Sequence, residues 1–283
     1  MVRVREFKSM VDGPHLLIFG AVHGNEVCGT RALEKICAEL ESGRRKLLRG
    51  RCTLVPICNE KAYVEGRRFV EENLNRVFHA HPDPTSHERK IANQLHPLVD
   101  RCDYLLDLHS MQSEGEPFAF LNRAVSESEK FCRALGLKWI MKGWPELYRE
   151  FPDHLSSCTQ TYADSKNKPN ALVECGTNGH PDADEVAYRS ALRGLAYLGL
   201  IAPDSPVSEV EPKFLRLTDL WFRQSIDDHF VKVWKNFEAV RRGDLIGHRA
   251  SGEAVFCPRD GFIVFPSPVS AVGTEWVYVA VSE

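Results

Sequence analysis

The sequence lacks any long hydrophobic stretch. No run of about 18 or more apolar residues offers a membrane-spanning helix. The first 15 residues also lack the apolar core of a signal peptide. We therefore expect a soluble, cytoplasmic protein that does not act at a membrane.

The chain also lacks an excess of charge of either sign. Its 283 residues include 36 basic and 39 acidic ones, which gives a net charge of −3. Nucleic-acid-binding domains usually carry a strong basic excess, so this balance argues against binding of nucleic acid. It does not argue against a small anionic ligand, since a few arginines in a cleft suffice to bind one.

The nine cysteines lack the paired spacing of a disulfide-linked domain or of a structural zinc site. None belongs to a CxxC pair, and their number is odd. A disulfide framework or a structural zinc knot would need closer, paired cysteines. The pattern is typical of reduced thiols in a cytosolic protein.

What the sequence does contain, up to about residue 200, is an alternation of short apolar runs and helical patterns. The runs predict strands at 15–22, 52–58, 103–108, 117–121 and 170–175, and the helical spacing predicts helices over 26–42, 86–99, 125–136 and 183–200. This alternation predicts an α/β fold with a mixed, mostly parallel sheet flanked by helices. Residues 59–83 have no clear period and predict a long loop, of a length that is commonly functional.

The composition changes at residues 202–213, where prolines and acidic residues predict a linker. Beyond it, short strands with glycine-containing turns predict a small all-β domain resembling a sandwich or barrel. The pattern over 227–240 predicts one short helix. We place an α/β domain at 1–205 and the small β domain at 208–283.

Three residues of metal-binding type follow predicted strands. His23 and Glu26 come directly after the strand over 15–22, and His109 follows the strand over 103–108. Because ligands of an open α/β sheet bind at the carboxyl ends of its strands, these side chains can converge. Two imidazoles and one carboxylate are a common catalytic zinc set, but the same set also holds iron in oxygenases. A single histidine after a strand is more often a structural residue than a metal ligand. Spacing alone also does not distinguish zinc from iron.

Four motifs in the first two thirds of the chain match a known family. They are GAVHGNE at 20–26, RFVEENLNRVF at 68–78, DLHS at 107–110 and VECG at 173–176. Together, and in this order, they resemble the succinylglutamate desuccinylase/aspartoacylase family, a branch of the zinc carboxypeptidase superfamily. The resemblance implies a zinc carboxypeptidase-like α/β domain followed by a small all-β domain.

The resemblance also implies roles for individual residues. His23 and Glu26 of the first motif and His109 of the third fall on the family's zinc ligands, which implies one zinc ion per chain. Glu174 of the fourth motif falls on the general base. A carboxylate beside the metal suits amide hydrolysis, because the amine leaves poorly unless it is protonated.

The second motif implies how a substrate would be held. Asn75 and Arg76 fall on substrate-binding positions, and the planar fork of an arginine suits bidentate capture of a carboxylate. Arg68 falls on an arginine near the reacting carbonyl, where it would stabilise an oxyanion. The family often has an aspartate at the position of Asn73, and this departure affects how the nearby arginines are oriented.

The function implied is hydrolysis of a small N-acyl amino acid, of N-succinyl or N-acetyl type, by metal-activated water. The partner is then a small molecule, and a homo-oligomer is compatible with the sequence. The alternatives are a zinc carboxypeptidase that acts on peptides and a non-catalytic metal- or ligand-binding module; Glu174 argues against the module, because binding alone needs no base. The C-terminal strands also resemble biotinyl and lipoyl carrier modules, but residues 243–283 contain no lysine to modify. This excludes a carrier and favours a structural or entrance-narrowing role for the C-terminal part.

Overall fold

A long mixed β-sheet with helices on both faces forms the centre of the protein. The computed structural model describes residues 2–123, 125–149, 151, 157–204 and 210–283. Within these ranges the helices are Cys28–Glu41 (α1), Glu60–Val64 (α2), His87–Arg101 (α3), Ser126–Ala134 (α4), Trp144–Leu147 (α5), Thr159–Ser165 (α6) and Pro181–Tyr197 (α7), with a 3₁₀ turn at Leu74–Arg76. The strands are Arg5–Lys8 (β1), His15–Gly20 (β2), Arg51–Val55 (β3), Tyr104–Met111 (β4), Phe118–Phe120 (β5), Trp139–Lys142 (β6), Asn170–Thr177 (β7), Lys213–Phe222 (β8), His229–Phe230 (β9), Ala239–Val240 (β10), Leu245–His248 (β11), Ala254–Phe256 (β12), Gly261–Val264 (β13) and Glu275–Ser282 (β14).

These elements include all the strands and helices predicted up to about residue 200, with shifted ends. One shifted end matters for the site: the first helix begins at Cys28, two residues later than predicted. Glu26 therefore lies in the loop between β2 and α1. The predicted loop at 59–83 contains α2 and the 3₁₀ turn and is otherwise irregular.

The strand order of the main sheet is β1-β3-β2-β4-β7-β5-β6-β8-β14-β13-β10. The neighbours β3, β2, β4 and β7 run parallel, and so do β5, β6 and β8. β5 is antiparallel to β7, and β1 is antiparallel to β3. From β8 outward, β14, β13 and β10 each pair antiparallel with the strand before them in the sheet. The prediction of a mixed α/β sheet is confirmed.

Side chains of β2 alternate between two hydrophobic cores, as the pleat of a strand requires. Leu16 and Ile18 pack on one face of the sheet with residues of α1, α4 and α7. Leu17 and Phe19 pack on the other face with residues of α3 and α6. All four are completely buried, and burial of each such side chain contributes about 1.5–3 kcal/mol. The strand that leads to His23 is therefore held rigidly from both sides.

The helices that cover the sheet are short, and each buries apolar residues on the face that packs against the sheet. The longest of those described, α7, has 17 residues and turns Ala187, Ala191 and Leu195 into the core. In the part of the chain that the structure describes, no helix is both long and apolar enough to cross a membrane.

The C-terminal strands extend the main sheet. β8 pairs in parallel with β6, and β14, β13 and β10 follow from it, whereas β9, β11 and β12 form a separate three-stranded sheet. Strands from both sides of residue 205 thus share one sheet. The division into domains at 1–205 and 208–283 stays a prediction, since residues 205–209 lie outside the described residues.

The helix predicted over 227–240 is wrong. That segment contains β9 and β10 instead. Phe230 pairs with Gly247 of β11, and the indole N–H of Trp234 donates to the carbonyl of Ile246 at 3.0 Å. These long-range contacts override the local helical pattern, because packing and hydrogen bonding outweigh weak helix propensity.

Candidate active site

The site residues expected from the sequence meet at the carboxyl ends of the central parallel strands. His23 follows β2, His109 lies near the end of β4, and Glu174 lies near the end of β7. The register of β4 and β7 places His109 directly opposite Glu174. The structure thus brings together residues that are up to 151 positions apart, because neighbouring parallel strands end at the same edge of a sheet.

The loop after β2 places His23 and Glu26 through two tight contacts. The backbone N–H of Glu26 donates to the carbonyl of His23 at 3.1 Å, and that of Gly24 donates to the carbonyl of Arg68 at 3.1 Å. A β-carbon at Gly24 would lie 2.2 Å from the carbonyl carbon of Ala62, in α2. Glycine is therefore required at this position, since any side chain would push the loop off α2 and move the histidine before it.

Three side chains form a compact buried cluster. Nδ1 of His23 lies 2.9 Å from Oε1 of Glu26, and Nδ1 of His109 lies 3.0 Å from Oε2 of the same carboxylate. The two Nδ1 atoms are 3.2 Å apart. All three residues are 2% exposed, so their polar atoms face each other and not solvent.

This cluster fits a tetrahedral metal ion. Its ligand atoms lie within 4.8 Å of one another, and two nitrogens bound to zinc at about 2.0 Å stand roughly 3.3 Å apart. Nε2 of His23 lies 2.9 Å from Oδ1 of Asn73, and Nε2 of His109 lies 3.0 Å from Oδ2 of Asp107. Each Nε2 thus has an oxygen within 3.0 Å, and a metal would bind at the two Nδ1 atoms in their deprotonated state.

The protonation of His23 also suits a metal ligand. Burial, together with the positive charge of Arg68, lowers the pKa of His23 to about 4, so its imidazole is neutral at neutral pH. Burial by itself would raise the pKa of Glu26, but the charges of His23 and Arg68 outweigh it and hold that pKa well below its usual range. Glu26 is therefore an ionised carboxylate, although it is buried.

Glu174 lies beside this cluster and has the features of a group that transfers protons. Its Oε2 is buried and has no hydrogen-bond partner among the described residues. Burial, followed by the nearby charge of Glu26, raises the pKa of Glu174 to about 8. An unpartnered carboxylate with a high proton affinity is suited to proton transfer near neutral pH.

Arg68 lies at the edge of the cluster. One of its terminal nitrogens, Nη1, donates to Oε1 of Glu26 at 2.5 Å. Its side chain is 41% exposed, so the rest of the guanidinium is accessible. This position suits an arginine that orients Glu26 and also faces a ligand.

The loop that carries Asn75 and Arg76 is fastened by side-chain contacts. Oδ1 of Asn73 accepts a hydrogen bond from the backbone N–H of Asn75, and Oδ1 of Asn75 accepts one from the backbone N–H of Thr159 at 3.0 Å. Arg76 is not free, because its Nη2 donates to Oε1 of Glu275 at 2.7 Å.

Several residues contact the site although the sequence analysis assigned them no role. Asp107 stands two residues before His109 on β4, and the alternation of a strand places both on one face; this spacing was the available signal. Glu275 and Tyr278, on β14, reach the site from the C-terminal strands. The sequence held no comparable signal for them, because their position depends on how the sheet is ordered.

All of these side chains except Asp107 line one cavity of about 530 Å³. The cluster of His23, Glu26 and His109 forms one part of its wall together with Glu174. Aromatic and aliphatic residues form much of the remainder. The arrangement can hold a metal ion, a water molecule and an organic molecule of small size next to one another.

Comparison with known sequences agrees with this geometry. Residues 12–189 match the profile of the succinylglutamate desuccinylase/aspartoacylase catalytic domain, which is more than half of the chain. The chain belongs to this family.

Related proteins in this family are deacylases by name. A succinylglutamate desuccinylase from Vibrio campbellii is 33% identical, over 92% of this chain and 78% of the relative. An N-alpha-acetyl-L-2,4-diaminobutyric acid deacetylase from Halomonas elongata is 29% identical over 74% of this chain. The match spans 61% of that relative's length, which is less than two thirds.

Solved structures share the fold. A succinylglutamate desuccinylase/aspartoacylase from Rhodobacter sphaeroides has a TM-score of 0.80 at 18% identity, over 100% of this chain and 89% of that one. An ectoine utilization protein from Ruegeria pomeroyi, with product bound, has a TM-score of 0.79 at 22% identity, over 98% and 88% of the two chains. The α/β architecture described above is therefore the fold of this family.

Proposed function

We propose that this protein is a zinc-dependent deacylase that hydrolyses the amide of a small N-acyl amino acid, of N-acetyl or N-succinyl type. One observation carries the proposal: a two-histidine, one-carboxylate cluster lies beside Glu174, whose Oε2 is buried and has no hydrogen-bond partner among the described residues. The deacylase names of the relatives support it.

In this proposal His23, Glu26 and His109 hold one zinc ion. A bound zinc ion supplies a Lewis acid that polarises the amide carbonyl and lowers the pKa of water. The choice of zinc over iron follows the family to which the chain belongs.

Other residues of the chain then transfer the proton, stabilise the developing negative charge and bind the substrate. Glu174 takes the proton of the attacking water and delivers it to the leaving amine nitrogen, so that a neutral amine departs. Arg68 donates hydrogen bonds to the oxygen on which negative charge develops. Asn75 and Arg76 hold the substrate carboxylate and thereby orient the amide toward Glu174.

The test is release of free amino acid from a panel of N-acetyl and N-succinyl amino acids by zinc-loaded protein. We expect turnover that a chelator abolishes and that added zinc restores. Peptides with a free C-terminus form the comparison set, because a carboxypeptidase would cleave them instead. Turnover of peptides without turnover of any N-acyl amino acid would contradict the proposal.

A further inference from the structure

The charged groups in the cavity are few and nearly balanced. Two guanidinium groups, Arg68 and Arg76, face three carboxylates, Glu26, Glu174 and Glu275, in the described lining. The residues outside the described ranges include no lysine or arginine. No further cation is therefore available to bind an acidic group of a substrate.

One of the two guanidinium groups already pairs with a carboxylate of the protein. Arg76 donates from Nη2 to Glu275 at 2.7 Å and from Nη1 to the carbonyl of Asn75 at 2.8 Å. Its guanidinium carbon lies 5.1 Å from the centre of the Trp144 ring. Glu275 also accepts a hydrogen bond from the hydroxyl of Tyr148 at 3.0 Å.

The Glu275 carboxylate is ionised in this pair. Burial by itself would raise its pKa, but the charge of Arg76 and their hydrogen bond lower it to about 2. The side chains of Arg76 and Glu275 are only 15% and 23% exposed, so water screens the pair weakly. A substrate carboxylate held by Arg76 would share the guanidinium with Glu275, and a further carboxylate on the same substrate would face both carboxylates.

The wall next to this pair is aromatic. The rings of Phe120 and Trp144 are 5.5 Å apart, and those of Phe120 and Phe265 are 6.0 Å apart and nearly parallel. Tyr278 extends this surface, with its ring 5.9 Å from that of Phe265, and Leu172 also lines the cavity. Such a surface favours apolar groups, at about 25 cal/mol for each Å² removed from water.

We propose that this cavity selects N-acyl amino acids with an uncharged, apolar side chain, and that Glu275 is the residue that disfavours a second carboxylate. This inference rests on the proposed function, which supplies the amide and the single carboxylate. It concerns which substrate is chosen, and not how the amide is cleaved.

The position of Arg76 places the side chain of the substrate. In an N-acyl amino acid the carboxylate and the side chain are attached to the same carbon atom. A carboxylate held by Asn75 and Arg76 therefore brings the side chain close to Trp144, which lies under the guanidinium. The amino-acid half, and not the acyl group, then meets the aromatic wall.

N-acetyl derivatives of leucine, asparagine and aspartate test the proposal, because their side chains have nearly the same size and shape. We expect kcat/KM for N-acetyl-leucine to exceed that for N-acetyl-aspartate by about 100-fold, with N-acetyl-asparagine between them. N-α-acetyl-2,4-diaminobutyrate tests a cationic side chain and should also be poorer than N-acetyl-leucine. Equal or faster turnover of the aspartate or diaminobutyrate derivative would overturn the proposal while leaving the deacylase function intact.

Binding gives a readout that does not depend on turnover. Calorimetric titration of the same compounds into zinc-loaded Glu174→Gln protein should give the same ranking of affinities. If no compound were hydrolysed by the native protein but the ranking held, the proposed reaction would fail and the selectivity would stand. A ranking led by N-acetyl-aspartate would refute the selectivity.

A variant of Glu275 tests its individual role. Glu275→Gln leaves the charge of Arg76 uncompensated, so the preference for leucine over aspartate should fall at least about 10-fold. Glu283→Gln is the matched control, since Glu283 pairs with Lys142 and Arg216 and does not line the cavity. An unchanged ratio in folded Glu275→Gln protein would remove this role. If that variant does not fold, Glu275→Asp, which keeps the charge but shortens its reach to Arg76, should lower the ratio in the same direction.

Discussion

The amide oxygen of Asn73 lies 2.9 Å from Nε2 of His23. Its orientation is established by a second contact, because the same oxygen accepts a hydrogen bond from the backbone N–H of Asn75. The other histidine of the proposed metal site, His109, has the carboxylate of Asp107 at 3.0 Å instead. The two Nε2 atoms thus face groups of different charge, and the neutral group, Asn73, lies where the resemblance to the family predicts an aspartate.

This contact predicts that Asn73 contributes to metal affinity without touching the metal. Asn73→Ser can still cap the turn at Asn75 but is too short to reach His23, so zinc affinity should fall by about 10-fold. Asn73→Asp keeps the contact and adds a negative charge, so affinity should rise. Competition with a chromophoric chelator measures both. Identical affinities in all three proteins would show that the contact does not orient His23.

Glu174 is predicted to act on protons and not to hold the metal. Glu174→Gln keeps the size of the side chain but cannot accept a proton, so kcat should fall by about 100-fold or more. Metal analysis should give the same zinc content as in the native protein. Glu185→Gln serves as control, because Glu185 is an exposed partner of Arg189. A near-native kcat in Glu174→Gln would assign the base to another residue.

Zinc itself is predicted to bind at about one ion per chain and to stabilise the fold. At a free concentration 100 times the dissociation constant, the free energy of unfolding should rise by about 2.7 kcal/mol. His109→Ala should lose both the ion and this increase, as measured by metal analysis and by denaturant unfolding with and without zinc. His229→Ala, which alters an exposed histidine of β9, should keep both. Retention of stoichiometric zinc in His109→Ala would exclude the proposed ligand set.

A buried ion pair in the C-terminal strands predicts part of the acid sensitivity. Burial by itself would raise the pKa of Asp228, but the backbone N–H groups of Gln224 and Ala250 and the guanidinium of Arg249 outweigh it and lower that pKa to about 2. The pair Asp228–Arg249 has an N–O distance of 2.9 Å and is almost completely buried. Since the folded pKa lies below the unfolded value, the pair stabilises the protein fully above about pH 4, and this contribution is lost as the pH falls toward 2.

Asp228→Asn tests this relationship. Removing one charge of a buried pair should lower the free energy of unfolding by about 3 kcal/mol at neutral pH. The difference between native and variant proteins should shrink as the pH falls from 4 to 2, because the native aspartate then becomes protonated. Chemical denaturation at several pH values measures it. A difference that is constant over this range would contradict the assignment.

The proposed ligands and the base could be located from the sequence because each belongs to a short motif next to a strand. His23 and Glu26 follow β2, whereas His109 and Glu174 lie on β4 and β7. Apolar runs in the sequence mark all three strands. Parallel strands end at a common edge, so local pattern and elementary geometry together predict convergence. Even Asp107 was within reach of this reasoning, since strand alternation places it beside His109.

The selective part of the cavity could not be located in this way. Arg76 and Glu275 are 199 positions apart, and their contact depends on β14 joining the main sheet beside β8. No periodicity of the chain encodes that order, which is decided by packing between distant segments. The sequence therefore determined the fold class and the chemical groups of the proposed metal site. The tertiary structure alone decided which charges remain unpaired in the cavity, because charge compensation depends on neighbours in space.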